Sequence, residues 1–539
     1  MDLKNKINEA IENGDFEMVD KLTQELYESE FGEQNVHYPD NFAENIIASS
    51  KGEKIKMNNK FKKLAVAASC TLIIGVTGFS VNAASGGKVV DNFKTIINSN
   101  SEVEKIYNDG KVIIPDDKNY DVDTTIDETN DKDAKPAYSV WYQYPAEKEG
   151  EYRFEIWSGE KHTHALFYCS ASVENLLTRR SQFFAKKQQY KKEGSALDGA
   201  YLIYDKEEDS LYYSHKADHN GGRERLAMGT IMAQYLKHHP EDTKCMESLN
   251  AYERYVYREL YDENTGVVYN DINRNNDWHR LYNYPWMANF QIELYQLKKD
   301  TRYLLNAYQT MMGYYRAGGE KFYAIGIEGY KIKTLLDEAG FEAQSEAFTQ
   351  AFLKHADQLA QTSINYPASE VKYEQSIVAP AVSCLLQAYQ ISGEQKYLEE
   401  ARKQLKLLEL FNGRQADYHL FENAIRHWDG YWFGKYECYG DTFPHYWSTL
   451  SGDVFARYAQ ITGDKSYEHK AKASLRGCMN LFFADGMASC AMVYPDTVNG
   501  KKTHYYDPWA NDQDWALYYA VKWEEVATQK VYEEPPQQC

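Results

Sequence analysis

Between His427 and Ser448 the chain sets three Trp, four Tyr, two His and three carboxylates among glycines and a proline. Gly430, Gly434, Gly440 and Pro444 interrupt any helix or long strand, so most of this segment is expected to be loop. Flat rings with polar edges beside carboxylates suit the holding of a sugar and acid/base work on it. An aromatic packing loop is the plainer alternative. Half of the ten Trp fall between Trp428 and Trp515, which favours carbohydrate over packing. Asp441, next to Gly440 and just before Pro444, is the candidate catalytic carboxylate here, with Asp429 second. His445 and Trp447 are assigned to substrate contact.

A second cluster runs from Ser214 to Gly229 and contains Asp218, His219, Gly221, Gly222, Arg223, Glu224 and Arg225. Gly221 and Gly222 free the backbone just before a helix, and Glu224 falls in its first turn as the second candidate catalytic acid. Arg223 and Arg225 flank it and suit a bidentate grip on a carboxylate; a capping Glu in a structural Arg network explains the same residues. Asp218 joins the substrate contacts, as do His279, Arg280 and Trp286 from Asp277 to Trp286. Asp512 and Trp515 join them from the start of the last helix, where Asp512 could position a water and helix capping accounts for at least one nearby acid. A two-carboxylate glycosidase needs its acids about 5 Å apart if retaining and about 6.5–9.5 Å apart if inverting. His162 and His164 alternate as strand residues do, and neither a catalytic metal nor a cofactor is expected.

The elements that position these residues are mainly helical. The 539 residues carry a net charge of −20 and no block of Lys and Arg interleaved with aromatics, which argues against a nucleic-acid partner. Eight Cys without a CxxC pair argue against a zinc site or a disulfide scaffold. Residues 1–56 form a polar tail. Residues 57–84 form an anchor or signal segment, in which Leu64 to Val81 is uncharged and preceded by lysines, so the tail is expected in the cytoplasm and the remainder outside it. Translation from Met57 would make the same stretch a cleaved secretion signal. The tail would then suit a cytoplasmic partner only if translation starts at Met1. An acidic linker is expected over 85–136, a catalytic domain over 137–530 and a short tail over 531–539, with Tyr152 to Trp157 alternating as a strand.

An internal repeat fixes the architecture of the large domain. Leu297 to Ala307, Ile391 to Ala401 and Ile461 to Ala471 share a turn, an Asp or Glu, and a Tyr and Ala four apart. Each copy ends one helix and starts the next, with the acid at the new helix N-terminus; a fainter copy runs from Leu236 to Asp242.

The repeat and the Gly440 to Trp447 loop resemble the six-hairpin glycosidases, which implies an (α/α)6 toroid over about residues 137–530. The C-terminal region looks most like glycoside hydrolase family 154, which implies β-glucuronidase activity on uronic-acid-containing glycans outside the cytoplasm. In the related unsaturated-glucuronyl hydrolases an acid opens the second inner helix shortly before a Gly, and Glu224 stands so before Gly229. The partner acid expected near the next inner helix is replaced by Asn283, a departure for which Asp277 to Arg280 just upstream could compensate; otherwise the partner comes from the C-terminal loop, as Asp441 or, second, Asp429. The same toroid also hosts polysaccharide lyases and epimerases. The tail and apolar stretch resemble the membrane segment of bacterial anti-sigma-type proteins, which implies the other reading, a tethered glycan sensor.

Overall fold

The computed structural model describes residue 18 and residues 93–99, 102–106, 148–158, 161–216, 218–222, 225–277, 280–367, 373–424, 434–436, 442–493, 497–498, 501–502 and 505–533. The chain divides into two units, residues 1–89 with 128–136, and residues 90–127 with 137–539. Met18, which is helical, is the described residue of the first unit.

Among the described residues of the second unit twelve α-helices follow one another: α1 Val173–Phe183, α2 Leu226–His238, α3 Thr243–Tyr255, α4 Asn283–Lys298, α5 Thr301–Arg316, α6 Gly329–Glu338, α7 Glu342–Thr362, α8 Gln375–Ser392, α9 Gln395–Leu408, α10 Ser448–Thr462, α11 Lys465–Gly477 and α12 Asp514–Glu533. The even-numbered helices other than α6 are buried around most of their circumference; α2 hides every residue from Leu226 to Leu236, and α4 every residue from Asn283 to Leu294, whereas α6 buries only Gly329, Ile332 and Leu336. Burial on all sides marks a helix enclosed by others. The odd-numbered helices bury one stripe, as α3 does with Cys245, Ser248, Leu249, Tyr252 and Tyr255. Along the inner set α2 packs on α4, α8 on α10, α10 on α12 and α12 back on α2, while α1 packs on α12. Glu293 of α4 takes Lys237 of α2 at 3.1 Å and Lys331 of α6 at 2.7 Å, and α6 packs on α8. The ring is therefore closed, with six inner and six outer helices. This is the expected toroid.

The repeated turns explain the hairpins. Lys299, Gly393 and Gly463 end α4, α8 and α10 in the left-handed region, at φ of 57°, 70° and 74°. Each donates its N–H at 2.8 Å to the carbonyl four residues back, an αL cap that satisfies an orphan carbonyl and reverses the chain. Asp300 and Asp464 then accept the N–H two residues on, each at 2.9 Å, and Asp242 accepts the N–H three residues on, from Cys245, at 3.1 Å. Tyr303 and Ala307, and Tyr397 and Ala401, are buried against the preceding helix. The α6–α7 hairpin turns instead at Gly340, with φ of 76° and no capping acid.

Because outer helices run antiparallel to inner ones, all six inner N-termini open at one mouth. A four-stranded antiparallel sheet precedes the ring, in the order β2 (Glu102–Ile106), β1 (Phe93–Ser99), β3 (Gly150–Ser158), β4 (Lys161–Cys169). β1 and β2 lie within residues expected to be linker. The described cysteines, Cys169, Cys245, Cys384, Cys478 and Cys490, are free thiols. Among the described residues no helix is long and apolar enough to cross a membrane; Leu64 to Val81 lies outside them.

Candidate functional site

The connections into the inner helices build the mouth. Inside it, Trp286 of α4 and Trp515 of α12 stack with ring centroids 3.7 Å apart, and both are wholly buried. Gly326 has φ of 83°, and a Cβ there would lie 2.5 Å from the Trp286 ring, so only glycine lets the chain pass beneath it. Both Trp were expected to contact substrate. Their faces are spent on each other, and in this structure they form the floor of the mouth.

The N-terminus of α12 is fixed from below. Buried Arg180 holds Asp514 with Nε at 2.9 Å and Nη2 at 3.0 Å, and Gln513 donates to Asp514 at 2.7 Å. Asp514 is thus the structural acid of this helix start. Asp512, two residues earlier, is 5% exposed and has no guanidinium partner among the described residues. Its Oδ2 lies 3.3 Å from His445 Nε2, and the backbone N–H of Trp447 points at His445 Nδ1, also at 3.3 Å. An N–H donates only to an unprotonated nitrogen, so Nδ1 accepts and the imidazole proton sits on Nε2, donating to Asp512. Asp512 Oδ1 is buried with no hydrogen-bond partner. His445 therefore orients this carboxylate and leaves one oxygen for a ligand.

Arg225 caps α2 and is completely buried. Nη2 reaches the Asp218 carbonyl at 3.4 Å, while Nε and Nη1 have no acceptor among the described residues. Burial pulls its pKa down to about 10, against the carboxylates of Asp512, Asp218 and Asp514, so it stays charged at neutral pH. Buried N–H groups without partners are rare, and each calls for an acceptor. Asp218 Oδ1 takes both Arg280 terminal nitrogens, at 3.2 and 3.3 Å, which pins the 213–222 connection to the one before α4. Gly222 fits because a Cβ there would lie 2.5 Å from the Asn270 carbonyl.

Asp218, Arg225, Arg280, His445, Asp512, Trp286 and Trp515 are therefore gathered at one end of the ring. Trp447 stands beside them, its ring edge-on to His445 with centroids 5.5 Å apart. Glu224, Arg223, His279, Asp441, Asp429 and Arg426 lie outside the described residues. Of the aromatic segment, Thr442–His445 is a strand paired with Ala491–Val493 rather than loop. Lys435 is tied to Asp205 at 2.8 Å and Glu207 at 3.0 Å, and Tyr436 donates to Glu207. Two features escaped the sequence reading. Glu374, fully buried, caps α8, and Gln375 donates to the Trp447 carbonyl at 2.8 Å. Asp271 receives both Tyr213 and His215. Counting one inner-helix length back from the turn at Gly393 reaches Glu374; nothing local links Asp271 to His215.

No family model and no curated protein matches the chain. Among solved structures it is similar to a polysaccharide lyase, at 41% identity over 71% of this chain with a TM-score of 0.68. The chain spans 58% of the length of that protein. It is also similar to a family 76 glycoside hydrolase from a bovine Bacteroides thetaiotaomicron strain, at 11% identity over 82% of this chain and 95% of the other, with a TM-score of 0.43. A cellobiose 2-epimerase from Bacillus thermoamylovorans is similar at 12% identity over 66% of this chain and 98% of the other, with a TM-score of 0.43.

Proposed function

We propose that this chain is a carbohydrate-active enzyme that binds a uronic-acid-containing polysaccharide across the mouth of the toroid and cleaves it by β-elimination. The observation that supports this most is Arg225, a buried guanidinium with two unpartnered N–H positions beside Asp512. A uronate carboxylate supplies the missing acceptors, and the converging N-termini of the inner helices favour the same charge. Neutralising that carboxylate acidifies the adjacent C5–H, which is what elimination requires. Asp512 Oδ1 takes a sugar hydroxyl, with His445 holding it in place. Likeness to a polysaccharide lyase at 41% identity favours elimination over the other chemistries this toroid hosts.

Hydrolysis of glucuronides is the second reading, favoured by the acids at Glu224 and Asp441 in sequence segments rich in Arg and aromatics. There Glu224 protonates the leaving oxygen and Asp441 is the second carboxylate. In both readings the enzyme stands outside the cytoplasm, tethered through Leu64 to Val81.

The test is depolymerisation of uronate polysaccharides by the full-length protein, compared with the same polymers after reduction of their carboxyl groups. Shortening of the uronate forms alone is expected. Equal attack on the carboxyl-reduced polymers would overturn the assignment of Arg225 and with it the substrate class.

A further inference from the structure

Besides the buried His445–Asp512 pair, the mouth holds a second carboxylate–imidazole pair built the opposite way round. Asp271 lies in the connection leading into α4, and its side chain is 4% exposed. Its Oδ2 accepts from Tyr213 Oη at 2.8 Å and lies 2.8 Å from His215 Nδ1; Tyr213 Oη is itself 3.1 Å from that nitrogen. Asp271 Oδ1 is buried without a partner among the described residues, so both donors converge on one oxygen. A carboxylate has no proton to give, so Nδ1 carries the hydrogen and the lone pair of neutral His215 sits on Nε2. The His215 side chain is 76% exposed. In the His445 pair the imidazole is buried and its Nε2 proton points at the acid. Here the acid is buried, and the basic nitrogen is turned away from it and toward open space.

This placement belongs to the mouth. His215 sits in the connection before α2, and Ser214 and His219 of the same connection are joined by a backbone bond of 3.3 Å. Tyr212 stacks on Trp509 at 4.5 Å and His219 meets that ring edge-on at 5.0 Å, three residues before Asp512. Asp218 and Arg280 close the connection from the α4 side. Among the described residues the charged and titratable groups facing the imidazole are Asp271 and Tyr213, and both in turn help to raise the pKa of buried Tyr255 of α3, after burial itself. Burial, then the hydrogen bond to Asp271, pushes the Tyr213 phenol far above its usual value, so it serves as a donor and not as a phenolate.

We infer that His215 is the general base of the site, held in its Nδ1–H tautomer by Asp271 and Tyr213. The inference rests on the elimination reading above. Nε2 removes the proton from the carbon next to the uronate carboxylate. The C–H electron pair becomes the new C=C bond, and the C4–O pair departs with the leaving oxygen. That oxygen takes a proton from water, and the imidazolium returns its own to solvent. A buried carboxylate behind the imidazole stabilises the imidazolium as it forms. Asp271 and Tyr213 are positioning residues.

The experiment compares full-length wild type with His215→Gln, Asp271→Asn and Tyr213→Phe across pH on a uronate polymer that wild type degrades. His215→Gln should lower kcat by about 10²–10⁴-fold with little change in KM. Asp271→Asn no longer fixes the Nδ1–H tautomer, so kcat should fall with KM kept; a merely structural Asp271 would lower activity without changing the His215 tautomer. A His215→Gln variant, folded by circular dichroism, with kcat within a few-fold of wild type would overturn the inference. Nitrogen-15 NMR on histidine-labelled protein reads the tautomer without any substrate. A Nδ1–H signal for His215 that is lost in Asp271→Asn supports the pair, and a Nε2–H tautomer refutes it. The NMR result stands whether or not any uronate polymer is cleaved, so failure of the pair and failure of the elimination reading are told apart.

Discussion

In the proposed site Arg225 and Asp512 offer opposite charges to one ligand, and their substitutions should differ in kind. Arg225→Lys keeps a buried cation but loses the planar fork, so binding of the substrate carboxylate becomes single-point. A loss of about 2–5 kcal/mol in kcat/KM on uronate polymers is expected. Asp512→Asn keeps an acceptor facing the His445 Nε2–H but lowers its charge; a hydrogen bond to a charged group contributes about 1.5–3 kcal/mol, so kcat/KM should fall about 10–100-fold. Steady-state kinetics with thermal melts as a folding control checks both. At this scale the sequence was partly legible. Asp218, Arg225, Arg280, His445 and Asp512 stand out because charged residues beside glycines and helix starts are costly to place by chance. Trp286 and Trp515 misled, since an aromatic face stacks on a sugar or on another ring with the same composition. His215 and Asp271 are 56 residues apart and meet only through the fold.

Caps and close approaches are where single elements can be tested. Asp464 accepts the Ser466 N–H at 2.9 Å at the start of α11; Asp464→Ala should cost about 1 kcal/mol, read as a modest fall in the denaturant midpoint with activity kept. Gly326→Ala forces a Cβ into the Trp286 ring from a positive φ, so the Trp286–Trp515 stack must shift. Overpacking of about 1–3 kcal/mol and altered near-ultraviolet circular dichroism are expected. Hairpins were legible wherever an αL residue and a capping acid recur, because that chemistry is local. The α6–α7 hairpin has the αL residue, Gly340, but no capping acid, so it does not read as a copy of the repeat. β1 has the alternation of Phe93, Thr95 and Ile97, yet the acidic run after it led the whole stretch to be read as linker. Thr442–His445 is too short, and its register too irregular, for a period of two to show.

Across the whole ring, buried ion pairs join the inner helices below the mouth. Glu328 takes Arg457 at 3.2 Å, and Lys522 joins Glu328 to Asp453. Burial raises the pKa values of Glu293 and Asp453, but Lys331 and Lys237 for the first, and Lys522 and Arg457 for the second, outweigh it and hold both carboxylates below their ordinary range. A depressed folded-state pKa contributes stability above the unfolded value that is lost as pH falls through the folded one. The melting temperature should therefore drop on the acid side of the ordinary carboxylate range. Glu293→Gln should flatten that drop and cost roughly 3 kcal/mol at neutral pH by stranding two lysines. The toroid itself was legible from three repeated turns, whereas its closure through α1, α2 and α12 joins the two ends of the domain and leaves no local mark. Placement outside the cytoplasm predicts that protease added to intact cells removes residues 137–539 and spares the tail; protection of that domain until the cells are permeabilised would refute it. The central claim is elimination at the mouth of the ring, and cleavage of a uronate polymer in heavy-oxygen water followed by mass spectrometry tests it most directly. The account predicts fragments bearing an unsaturated terminal uronate and no oxygen taken from solvent at the cleaved bond. One heavy oxygen gained per cleavage, with saturated ends, would contradict it.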